Sequence, residues 1–117
     1  IFTGRSDEDI KAYLNEKFEE FTKIQEIRKE DPNEFKNKFR KYLSDDPLLD
    51  FLSRLEHKRW CNSYYSMNFK YSHIKDENAK THPCLIDDWE IVIGEKFDIC
   101  HPEYDLLSIF TLFQMED

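Results

Sequence analysis

The sequence predicts a mostly α-helical fold: a small helical domain with one short β hairpin, plus an N-terminal helical extension. Two observations lead there. The hydrophobes are bulky and mostly unbranched at Cβ, with ten Phe, six Tyr and two Trp beside a single Val and two Ala. Large interlocking rings suit a helical core, and a shortage of β-branched residues other than Ile argues against an extensive sheet. In addition, the dipeptides Asp31-Pro32 and Asp46-Pro47 each read as an N-cap followed by proline at the first helical position.

The elements follow in order. A first helix is expected from Ser6, with Asp9 three residues on completing a capping-box pattern. Ile10, Tyr13, Leu14, Phe18, Phe21, Ile24 and Ile27 recur at helical spacing as its apolar stripe. Asp31 opens a second, shorter helix with Phe35, Phe39, Tyr42 and Leu43 on its buried face. Asp46 opens a third, over about residues 47–67. On a wheel of 100° per residue its apolar positions, Phe51 round to Tyr64, cover about 220°, which suggests a central helix packed on two sides. Glu56 and Arg59 fall within that arc. Charges there must pair or face a cavity, and their i,i+3 spacing allows a mutual ion pair.

Beyond Met67 the helical period fails. Phe69-Lys70-Tyr71 alternates as a short extended piece before the polar loop 72–80, and His82 precedes a proline that keeps it out of helical geometry. Asp87 is expected to cap a turn carrying Trp89, Ile91-Val92-Ile93-Gly94 reads as strand or helix end, and Pro102 starts a last helix closing the core. No linker or repeat divides the chain. It reads as one compact unit, with residues 1–47 as the extension and 48–117 as the domain proper.

Net charge is −8, unevenly spread. Residues 54–80 hold six bases against three acids, whereas 81–117 hold only Lys96 against nine acids. A nucleic-acid polyanion would be repelled by most of such a surface. A small anion held by the central basic island remains open, as does an ordinary solvated charged face. No apolar run approaches the roughly 20 residues of a membrane span. The chain starts at Ile1 with no visible signal peptide, and the expectation is a piece of a longer cytoplasmic protein. Three unpaired-looking cysteines, Cys61, Cys84 and Cys100, fit reduced thiols in that compartment.

Chemistry-bearing motifs are few. His57 and Cys61 lie four apart on one helix, His82 and Cys84 flank a proline, and Cys100 adjoins His101, yet none has the paired spacing of a structural zinc site. The expectation is no metal, with small buried thiols and capped imidazoles instead. A cysteine nucleophile needs a base and an oxyanion hole, which sequence does not reveal. With only Gly4 and Gly94 there is no phosphate-cradling glycine loop. The chain is therefore read as no enzyme and as carrying no cofactor.

One region rises above this background. His57, Trp60, Phe69, Tyr71, Lys75, Asp76, Asn78, Lys80 and the run His82-Pro83-Cys84-Leu85 fall in fixed order and spacing, followed by Trp89-Glu90 and, more loosely, Tyr104-Asp105. In this pattern, over about residues 48–115, the chain resembles the ryanodine receptor repeat domain. That module is found in intracellular calcium-release channels and in bacterial multidomain proteins. Phe69 stands where the family has its second Trp, and Asn68 and Ser72 stand where it usually has glycines.

The resemblance implies a non-catalytic regulatory or ligand-sensing module within a larger bacterial protein. In the channels, paired repeats form a cleft that can hold an adenine nucleotide or similar small molecule. Carried over, it places Trp60 and the His82-Pro83-Cys84 segment at such a cleft, with Arg59 and Lys80 nearby. An indole face stacks a base, and Arg and Lys meet phosphate. A single repeat needs a second copy, or another domain of the parent chain, to complete the cleft. The competing reading is a structural protein-interaction module. In it Trp60 is core, His82 bonds its own turn and Arg59 pairs only with Glu56.

Overall fold

The computed structural model describes residues 7–115. Among them, α1 spans Asp7–Glu30, α2 Pro32–Asp45, α3 Pro47–Ser66, α4 Trp89–Ile93, α5 Phe97–Cys100 and α6 Glu103–Met115; two strands, β1 Lys70–Tyr71 and β2 Thr81–His82, separate α3 from α4. The protein is thus mostly helical with one short β element. The expected start of α1 at Ser6 lies outside the described residues.

Local signals act where they were read. The Asp31 carboxylate accepts from Glu34 N at 3.0 Å and starts α2. Asp46 Oδ1 accepts from Leu48 N and Leu49 N at 3.1 and 3.2 Å and starts α3. Asp46 is also buried and accepts from the Tyr13 hydroxyl, so the cap of α3 doubles as a tie to α1. Such a cap is worth about 1 kcal/mol by itself. Capping of α4 falls to Asp88, whose carboxylate receives Glu90 N at 3.0 Å, rather than to the expected Asp87.

The core is built of rings. Phe21 of α1 lies 5.8 Å from Phe39 of α2 and 6.0 Å from Phe110 of α6, centroid to centroid. Phe97 of α5 meets Phe35 and Phe39 edge-on at 6.1 and 5.7 Å. Edge-to-face and offset pairs of this kind add about 0.5–1.5 kcal/mol beyond the burial of their area. Phe21, Phe39 and Phe110 belong to one buried cluster with Leu49, Trp89, Val92 and Leu106, so the N-terminal helices share a core with the rest of the chain.

Two expectations change. The strands pair parallel, Lys70 with Thr81 and Tyr71 with His82, where a hairpin was expected. The reason lies in the loop between them. Asp76 and Thr81 form an antiparallel bridge, and the Asp76 carboxylate receives Asn78 N and Ala79 N, so the chain has already reversed once more when it reaches β2. Asn68 takes a left-handed φ of 68°, which asparagine tolerates better than most residues. The second change concerns α3. Phe51 and Leu55 are 41% and 47% exposed, so the wide apolar arc is not covered all round.

Candidate functional site

A cleft of about 390 Å³ opens between α3 and α6, with its remaining wall made by the end of β2, the residues just after it, and the C-terminal end of α5. Of the ligand-binding candidates that the resemblance implies, Arg59, Trp60, His82 and Cys84 line it together. Lys80 and Pro83 do not. Lys80 sits exposed in a left-handed turn (φ 58°) and contributes its carbonyl to Lys70 N at 2.9 Å.

Trp60 is half-buried at the centre of an aromatic group. Its ring lies 4.5 Å from Tyr64, 5.9 Å from His57 in a stacked arrangement and 5.0 Å from His82 edge-on. The i,i+4 step to Tyr64 and the i,i−3 step to His57 put all three on one side of α3. β2 brings His82 against them.

His82 is committed in part to its own turn. Cys84 N donates to its Nδ1 at 3.0 Å across Pro83. Burial, with Lys75 nearby, pulls the imidazole pKa below its usual value. The ring is therefore neutral at pH 7 and carries its hydrogen on Nε2, a donor without charge. Arg59 stands at the rim with 66% of its side chain exposed and a two-pronged contact to Glu56, Nε to Oε1 at 2.6 Å and a terminal nitrogen to Oε2 at 2.9 Å. The expected i,i+3 pair is formed.

The family pattern includes His57 and Asp105, but the sequence reading does not assign them to the cleft, whose floor they form. His57 is buried, with Nε2 at 2.8 Å from the Ile86 carbonyl oxygen and 3.4 Å from the Cys61 sulfur, and Nδ1 at 3.3 Å from Asp105 Oδ2. A carbonyl and a carboxylate only accept, so both ring nitrogens must donate and the ring is an imidazolium. Burial works against that charge. Asp105, Cys61 and the Ile86 carbonyl outweigh it and hold the pKa up at about 10. For Asp105, burial pushes the carboxyl above its usual value while His57 pulls it back. The pair locks α3 to α6, 48 positions apart in sequence, and no local pattern could have announced it.

Two corrections follow. The cleft is charge-balanced, because Arg59 and His57 face Glu56 and Asp105. The basic island disperses: Arg54 binds Asp50 and Glu90, while Lys70, Lys75 and Lys80 are exposed away from the cleft lining. The cysteines differ too. Cys84 and Cys100 form a disulfide, and only Cys61 is a free thiol, fully buried. A sequence with three cysteines allows three single pairings, and nothing in the spacing selects this one. Among the described residues no group of three or more His, Cys, Asp and Glu side chains is placed to hold a metal ion. No helix among them is long and apolar enough to cross a membrane.

Compared with known proteins, the chain matches no family model, no curated protein and no solved structure.

Proposed function

We propose that the chain is a non-catalytic module of the ryanodine receptor repeat type, binding a nucleotide-like or other small anionic ligand within a larger bacterial, cytoplasmic protein. The observation that carries this reading is the convergence of Trp60, Arg59, His82 and Cys84 on one open cleft. The chemistry is consistent with it. The Trp60 indole offers a π surface for a base. His82 Nε2–H supplies a neutral donor, and Arg59 exchanges one prong of its contact with Glu56 for a phosphate oxygen. A non-catalytic role fits the commitments of the reactive groups: His57 has both nitrogens engaged, and the Cys84 sulfur is bonded to Cys100. A second copy of the chain, or another domain of the parent protein, would cover the open side.

A second reading, a structural interaction module without a small ligand, is favoured by the pairing of Arg59 with Glu56 and of His82 with its own turn. Calorimetric and tryptophan-fluorescence titration with adenine nucleotides separates the two. Binding heat and quenching that vanish in Trp60→Ala, with the melting curve retained, are the expected result. Absence of heat with every adenine nucleotide leaves the interaction module.

A further inference from the structure

The disulfide belongs to the cleft. Cys84 and Cys100 both line it, and the bond ties the turn after β2 to the end of α5, across a separation of 16 residues that contains α4 and α5. These helices have five and four residues, far below the length at which a helix holds itself together, and α5 has no side-chain N-cap. Immediately after Cys100, His101 ends α5 in a left-handed conformation, φ 48°, and also lines the cleft. A non-glycine residue pays an energetic penalty there. This wall is thus a short, strained piece. Its front end is anchored by Phe97 in the aromatic core, and its far end by the bond to Cys84. The α3–α6 side of the cleft is held separately, by His57 and Asp105. Cys84 is buried and Cys100 half-buried, so Cys100 is the more accessible residue of the pair.

We infer that the Cys84–Cys100 disulfide is a redox gate on the cleft: intact, it holds His101 and the end of α5 against the His82 turn, and reduction by a dithiol frees that wall and weakens ligand binding. A thiolate of the dithiol attacks the Cys100 sulfur, the S–S bond breaks, and Cys84 leaves as a thiolate that takes up a proton. The dithiol's second sulfur then attacks the mixed disulfide, releasing Cys100 as a thiol and leaving the reductant as its own disulfide, two electrons and two protons having passed to the protein. In a reducing compartment such a bond is open to regulation rather than permanent. The ligand arm of this inference rests on the binding function proposed above, whereas the movement of the wall does not.

The test compares the oxidised full chain with the same chain treated with dithiothreitol, using AMP as the probe. Iodoacetamide should label Cys84 and Cys100 only after reduction. Amide exchange across residues 98–101 should then rise about tenfold or more while α1 stays protected. Acrylamide quenching should rise as well. Trp89 is only 3% exposed, so quenching reports chiefly on Trp60. AMP affinity should fall about fivefold or more. The double variant Cys84→Ser/Cys100→Ser should behave as the reduced protein without reductant, and if it does not fold, the dithiothreitol comparison decides. Labelling before reduction, unchanged exchange and quenching after it, or loss of protection throughout α1 each overturns the gate. Absence of AMP binding in both forms removes the binding function and leaves exchange and quenching to judge the gate.

Discussion

The aromatic core and the cleft share α6 yet are built on different principles. In the core, Phe21, Phe35, Phe39, Phe97 and Phe110 need only fill space against one another, and contact among rings tolerates many arrangements. At the cleft, directional links join the walls beside the ring contacts of Trp60: His57 to Asp105 and to the Ile86 carbonyl, Cys84 N to His82, Cys84 to Cys100. The difference shows how a small chain keeps an opening from collapsing. Rings pressed together would close it, whereas polar and covalent links hold its walls at fixed separations. Those links also consume functional groups, the Arg59 guanidinium among them through its two contacts with Glu56.

Substitutions can break this contrast, starting with the largest effect. Phe39→Ala leaves a void where α1, α2 and α5 meet and should cost about 3–5 kcal/mol by chemical denaturation. Cys84→Ser/Cys100→Ser should cost about 3 kcal/mol, the scale of closing a loop of roughly this length, with the change confined to the unfolding equilibrium and to the cleft wall. Asp105→Asn leaves the buried His57 Nδ1 facing a partner that no longer carries charge and should cost about 1–3 kcal/mol at pH 7. The same pair predicts a pH dependence. His57 holds its proton more tightly folded than unfolded, so its contribution is complete below about 6.5, the ordinary histidine value, and is lost as pH rises towards about 10. Melting curves across that window should fall in the wild type and flatten in Asp105→Asn. Arg59→Ala, at an exposed pair, should change stability by only about 0.2–1 kcal/mol. If the cleft binds AMP, the same variant should weaken it by about tenfold, the scale of one lost charged contact.

Much of the helical part was readable in advance because its causes are local. Asp31-Pro32 and Asp46-Pro47 placed two helix starts, and the Glu56–Arg59 pair lies within one turn. The grouping of Trp60 with the His82–Cys84 segment is what the family resemblance implies, and Trp60, His82 and Cys84, though not Pro83, line the cleft. Elsewhere the sequence misled. Phe51 and Leu55 sit in an apolar arc yet face outward, because the neighbours of α3 cover only part of it. The basic run 54–80 looked like one patch, but a helix followed by a twice-reversed loop scatters its charges.

The sequence alone determined where α2 and α3 begin, which rings are apolar enough to be buried, and that Arg59 has a partner three residues away. Such outcomes depend on groups separated by a turn or less, where chain geometry fixes who meets whom. Tertiary structure alone decided that Cys84 bonds Cys100, that Asp105 holds the charge on His57, and that the cleft is balanced rather than cationic. Those contacts join residues 16 or more positions apart, and only the packing of α3, α5 and α6 brings them within reach of one another.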